Sequence, residues 1–145
     1  MNVVDKIGIV YWSGKHSTEM MAEKISIGID ETGNTAVLIN VIDFDIKSIE
    51  KFNKIIFGCP AMAGKALEEN EFEHFFQEIS KYIKGKKVAL FGSCEWGERE
   101  WMFDLENRVR ASDAILFDRG MTILGKPDNS GSHWCIEFGK AFAKF

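Results

Sequence analysis

Short apolar runs alternate along this chain with longer amphipathic stretches, and that alternation restricts the fold more than any other feature of the sequence. KIGIVY (Lys6 to Tyr11), TAVLIN (Thr35 to Asn40), KIIFG (Lys54 to Gly58) and KKVALFG (Lys86 to Gly92) have the length and apolar content of strands buried in a parallel sheet. A fifth, longer run covers Ala114 to Leu124, with Gly120 as a point of interruption. Helical periodicity covers Thr18 to Glu31, Glu71 to Lys84, Glu98 to Ser112 and His133 to Phe145, and a short helix is predicted over Asp45 to Lys51, capped by Asp43 or Asp45. Gly33 and Gly85 act as stop signals. Five such units, with crossovers of this length, predict an α/β fold: a three-layer, doubly wound parallel sheet whose ligands bind beyond the carboxyl ends of the strands. With 145 residues, 46% of them hydrophobic, the chain is expected to form a single domain over 1–145 with a sizeable core.

Charge and composition remove several classes of partner. A net charge of -4 argues against nucleic acid, because phosphate backbones call for a basic surface. No apolar run approaches the roughly 20 residues of a membrane span, and Met1 to Lys6 is too short and polar for a signal peptide. No membrane association is expected, and a cytoplasmic protein is the default. Cys59, Cys94 and Cys135 are odd in number and lack the C-x-x-C spacing, so they read as reduced structural thiols.

Three connections fall on the binding edge of such a sheet: Trp12 to Ser17, Cys59 to Asn70 and Ser93 to Arg99. The first lies inside IGIVYWSGKHSTEMMA (Ile7 to Ala22), where a strand runs through a Ser/Gly turn into a helix. Backbone N–H groups in such a turn point at an anion, and the helix dipole adds to the attraction. Ser13, Ser17 and Thr18 contribute hydroxyls and Lys15 a positive charge. The same residues also read as an ordinary turn capped by Ser17 or Thr18.

The chain resembles the short-chain flavodoxins from end to end. The resemblance rests on IVYWSG, GCPAM followed by LEENEFEHF, GKKVALFGS followed by WGEREWMFDLENR, and CIEFGKAFA, in that order. It implies a five-stranded parallel sheet in the order 2-1-3-4-5 and a pocket for flavin mononucleotide (FMN). An FMN-binding, low-potential electron carrier follows from it.

The three loops depart from the family pattern. Its first loop reads S/T-x-T-G-x-T, and here Lys15 and His16 replace the Thr-Gly step. A histidine forced into a glycine's positive φ costs about 1 to 2 kcal/mol. In the second loop Met62, Ala63 and Gly64 stand where the family has a glycine after the methionine, so Ala63 disfavours the peptide flip toward the flavin. In the third loop Ser93, Cys94, Glu95, Trp96 and Gly97 leave Trp96 as the obvious plate against a ring, with the Glu95 carboxylate beside it.

Taken together, these departures suggest a different planar cofactor, haem. His133, or less favourably His16, would supply the imidazole to the iron. Met62, Trp96 and Trp134 are available to its faces, and Lys15, Lys65, Arg99 and Lys126 to its propionates. That reading needs GKPDNSGSHW to be a mobile loop able to swing His133 and Trp134 over the ligand. Plainer roles remain open: a solvated histidine, Trp134 stapling the last helix, and Trp12 and Trp101 as packing.

The acidic runs ALEENEFE and CEWGEREW read either as solvated helix starts or as a rim that steers a basic redox or haem-exchange protein. No Ser-His-Asp set, carboxylate pair or Walker motif appears, so a non-catalytic cofactor-binding or electron-transfer protein is expected ahead of an FMN-dependent reductase. Three readings stand after the sequence. They are a haem-handling flavodoxin-like protein, an FMN electron carrier as its alternative, and a small flavin enzyme.

Overall fold

Strands this apolar need cover on both faces, and two pairs of helices provide it. The computed structural model describes residues 5–12, 14, 16–61, 71–94 and 99–145. Within them, one parallel sheet contains β1 (Lys6–Tyr11), β2 (Thr35–Asn40), β3 (Lys54–Gly58), β4 (Lys87–Cys94), and two short segments, β5 (Ile115–Leu116) and β6 (Met121–Leu124). The order is β2-β1-β3-β4-β5, with β6 also paired to β4. Lys87 pairs with Ile115 and Val88 with Leu116, then Phe91 with Met121 through Cys94 with Leu124, so β5 and β6 share the fifth place. The doubly wound topology is the one the sequence predicts.

Pleating sorts the strand side chains onto two faces. Ile7, Ile9, Ile56, Ala89 and Phe91 pack in the cluster with α1 (His16–Glu31) and α4 (Asn129–Ala143). Val10, Ile55, Phe57, Val88 and Leu90 pack in the cluster with α2 (Phe72–Ile79) and α3 (Glu100–Ala111). The helices α1 and α4 touch backbone to backbone: a Cβ at Gly28 would collide with the carbonyl of Ile136, and one at Gly139 with the carbonyl of Ile25. Small residues at these two points are what let the helices approach so closely.

On that second face, Arg108 of α3 holds Glu73 of α2 through both guanidinium nitrogens, Nη1 to Oε1 at 2.8 Å and Nη2 to Oε2 at 2.5 Å. The same guanidinium lies 4.8 Å from the centre of the Phe76 ring. Hydrogen bonding from Arg108 holds the Glu73 carboxyl below its ordinary pKa, outweighing the opposing effect of burial. A carboxylate with a lowered folded pKa stabilises the fold fully above the unfolded value near 4.3 and loses that contribution as pH falls through the folded value. Glu73→Gln is therefore expected to lower stability by about 1 kcal/mol at pH 7. Its urea midpoint should converge with the parent's as pH falls through the lowered folded value.

The fifth strand is broken where the sequence places an interruption, with Gly120 inside the break between β5 and β6. Asp118 adopts a φ of 52°, and Gly120 faces Met102 so closely that a Cβ there would collide with the thioether sulfur. Glu106, buried in α3, accepts the Gly120 N–H at 2.6 Å, while Arg99 donates through Nη2 to the Gly120 carbonyl at 2.7 Å and to Glu106 at 3.3 Å. Side chains from outside the strand thus hold the break in place.

Other boundaries move for local reasons. β4 runs on to Cys94, and the predicted helix over Glu71 to Lys84 is regular only to Ile79 before a 3₁₀ turn at Ser80–Tyr82. Asp45 caps a 3₁₀ helix at Ile46–Lys51 by accepting the Lys47 N–H at 3.1 Å. The last helix starts at Asn129 instead of His133, because the Asp128 carboxylate accepts the Gly131 N–H at 2.7 Å and caps it. At the amino edge of the sheet, Lys54 Nζ donates to the carbonyl of Ala143 and Lys87 Nζ to that of Phe145, each at 2.7 Å. Among the described residues no helix is long and apolar enough to cross a membrane.

Candidate functional site

The strand order reverses between β1 and β3, and a doubly wound sheet forms its ligand crevice at the carboxyl ends of strands at such a switch point. The first element at that edge is α1. It begins at His16, two residues before the predicted start, so His16, Ser17 and Thr18 form its first turn. Among the described residues the non-glycine positions with positive φ are Asp113 and Asp118, and His16 is not one of them. The expected strain at His16 is therefore absent. The histidine lies exposed on a helical backbone in place of a strained glycine conformation.

Below this turn three hydroxyls meet. Ser17 Oγ donates to Ser93 Oγ at 3.0 Å, and Thr18 Oγ1 shares a hydrogen bond with Ser93 Oγ at 2.9 Å. Thr18 and Ser93 are both buried. Ser93, assigned from sequence to a loop around a ring, instead belongs to β4 and ties the start of α1 to the sheet. The first N–H groups of a helix have no intrahelical acceptor, so the turn held by this cluster presents amides and dipole to the crevice.

Trp12 follows β1 directly, and its N–H donates to the Gly58 carbonyl at 3.0 Å, extending the β1–β3 pairing by one step. Its half-buried indole packs against the α2/α3 cluster, as its packing role predicts, and also donates through Nε1 to Glu71 Oε1 at 3.0 Å. Gly14 rests on the same ring: a Cβ at residue 14 would collide with the indole. A tryptophan directly after a strand and two residues before a glycine was the available signal for this contact.

Around the rest of the edge, the Ala61 N–H donates to the Ser93 carbonyl at 2.9 Å and the Gly125 N–H to the Cys94 carbonyl at 2.8 Å. Burial raises the pKa of Cys94 above its ordinary value, with the Arg99 charge partly opposing, and pushes the Cys135 thiol up to about 12. Both therefore remain thiols, in keeping with the structural role predicted for them. Ser13, Lys15, Met62, Ala63, Gly64, Lys65, Glu95, Trp96 and Gly97 lie outside the described residues.

The histidines are not gathered over this crevice. Asp128 caps α4 ahead of the GSHW sequence, so His133 and Trp134 are fixed on a helix and the mobile loop required for haem does not exist. Both are exposed, Trp134 by 65%, and both line a cleft of about 750 Å³ beside the edge strand, with Thr122, Leu124, Lys126 and Ser130. Among the described residues, none of the cleft's lining comes from α1 or from the connection after β1. Among the described residues no group of three or more His, Cys, Asp or Glu side chains is placed to hold a metal ion. Of the acidic rim, Glu71 binds Trp12 and Glu73 binds Arg108, so these two carboxylates serve the protein's own packing.

Comparison with known proteins agrees with the architecture of this edge. The family model described as Flavodoxin matches residues 9–139. The flavodoxin of Clostridium beijerinckii is 46% identical over 135 residues, which is 93% of this chain and 97% of that protein. The flavodoxin of Megasphaera elsdenii is 37% identical over 139 residues, 95% of this chain and 98% of its own length. The solution structure of two-electron reduced Megasphaera elsdenii flavodoxin superimposes with a TM-score of 0.87 at 35% identity, covering 96% of this chain and 99% of that one. These relatives give no support to a haem protein and favour the flavin alternative. With the strand order and the match over nearly the whole chain in agreement, the chain belongs to the flavodoxin family.

Proposed function

We propose that this protein binds FMN at the carboxyl edge of its sheet and acts as a one-domain electron carrier. The observation that carries the reading is the hydroxyl cluster of Ser17, Thr18 and Ser93 beneath the first turn of a 16-residue helix, at the crevice where the family's cofactor belongs. Its donor set suits a phosphate monoester dianion: helix N–H groups and neutral hydroxyls, with Lys15 and His16 adding basic side chains in the same segment. The buried Thr18 and Ser93 hold the turn in shape, which leaves the amides and the Ser17 side of the turn to meet the phosphate. Ser13 completes the hydroxyl set proposed for that subsite. Met62, Ala63 and Trp96 are proposed to flank the ring. The flavin supplies reversible uptake and release of electrons when bound. The chain's own part is to hold the phosphate, exclude water from the ring and present one edge to a redox protein.

The test is a pair of titrations with the purified protein. FMN should bind at one equivalent with quenched flavin fluorescence, and the bound flavin should cycle between reduced and oxidised forms without leaving the protein. Hemin should give no saturable Soret shift. Saturable hemin binding without FMN binding would overturn the proposal and restore the haem reading.

A further inference from the structure

We infer that Trp12 is a positioning residue that latches the phosphate loop to the loop after β3, acting through Glu71; the inference rests on the flavin reading above. The indole Nε1 donates to Glu71 Oε1 at 3.0 Å across 59 positions of sequence. The ring also fills the space where a Cβ of Gly14 would stand, so Gly14 lies directly on it. Glu71 occupies the N-cap position of α2 yet makes no side-chain cap bond to that helix. Its carboxylate points to Trp12 instead. The Trp12 N–H on the Gly58 carbonyl anchors the indole's backbone at the β1–β3 crevice itself.

These contacts place one side chain between the two loops that a mononucleotide spans. Gly14 belongs to the connection assigned to the phosphate, and residue 71 closes the connection assigned to the ring. A ligand held at both ends uses the relative position of the loops and benefits from the latch. A ligand held by the ring alone does not, which makes FMN and riboflavin the two informative probes.

Trp12→Phe removes the N–H donor together with the distal edge of the indole on which Gly14 rests. Glu71→Leu removes the acceptor at an exposed position, and Glu71→Gln keeps an oxygen for the indole. The FMN dissociation constant is expected to rise about five- to tenfold in Trp12→Phe and in Glu71→Leu. The losses should be less than additive in the double variant, because both substitutions break the Nε1–Oε1 contact. Glu71→Gln should bind FMN as the parent does, and riboflavin affinity should change less than about twofold throughout. Equal FMN affinity in all variants, additive losses, or losses shared equally by riboflavin would overturn the latch and leave the flavin reading standing. Failure of the parent protein to bind FMN would overturn both together.

Discussion

Replacing Glu106 by leucine is expected to lower the unfolding free energy by about 3 kcal/mol, the lower end of what breaking a buried ion pair costs. The carboxylate is only 2% exposed and joins two partners, the Gly120 N–H and Arg99 Nη2. Leucine would leave the amide without an acceptor and the guanidinium without its counter-charge. Arg99 Nη1 is already buried without a hydrogen-bond partner among the described residues, so the guanidinium would keep only the Gly120 carbonyl and the Phe103 ring in place of its counter-charge. The Arg99 side chain is 22% exposed, and water screens part of the uncovered charge, which sets the estimate at the lower end. Glu106→Gln keeps an acceptor for Gly120 and is expected to lose about half as much. Urea unfolding of the apoprotein at pH 7 measures both. A midpoint for Glu106→Leu equal to the parent's would mean that the break between β5 and β6 is held by something else.

A comparable loss is expected where α1 crosses α4. Replacing a glycine inside a helix ordinarily gains up to about 1 kcal/mol in helix propensity. At Gly139 the new Cβ would strike the Ile25 carbonyl, with the Ile25 carbonyl carbon at 3.1 Å and the Ile29 nitrogen at 3.2 Å. These are backbone atoms of a helix packed on the sheet, and they cannot turn aside as a side chain can. Overpacking costs of about 1 to 3 kcal/mol are usual where side chains can adjust. Gly139→Val should therefore reach the top of that range, about 3 kcal/mol, and lower the melting temperature by about 10 °C. Gly139→Ala and Gly28→Ala should each be milder, and together less than additive, because the first substitution already parts the helices. Calorimetry on the three variants checks this. Unchanged melting of Gly139→Val would show that α4 can shift without loss.

The strands were the most legible part of the sequence. TAVLIN and KIIFG fold at the predicted bounds, because short apolar runs between turn residues leave few alternatives. The interruption of the fifth strand at Gly120 was legible, but not the Glu106 and Arg99 side chains that hold it, because sequence periodicity cannot express their proximity. The start of α4 was misread. PDNSGS has the composition of a loop, but Asp128 is a cap, and one cap hydrogen bond outweighs a few weak helix formers.

The site was legible as a place and less so as chemistry. Ile7 to Ala22 does carry a strand into the helix whose N-terminus faces the crevice. His16 was weighed as a strained intruder because the family pattern puts a glycine there, whereas α1 simply starts at that residue. Its helical backbone removes one of the main reasons for preferring haem, and the helical setting of His133 removes another. Ser93 went unrecognised as a support because its partners lie 76 and 75 positions away in sequence.

The backbone contact between α1 and α4 bears on rate as well as on stability. A helix locked to its neighbour through Gly28 and Gly139 cannot slide, so the positive end of its dipole stays at a fixed distance from whatever anion it holds. For a cofactor that changes charge in place, dipoles that keep their orientation through the change contribute little reorganisation energy. On the flavin reading, the two glycines thus favour fast electron exchange from a position well away from the electron.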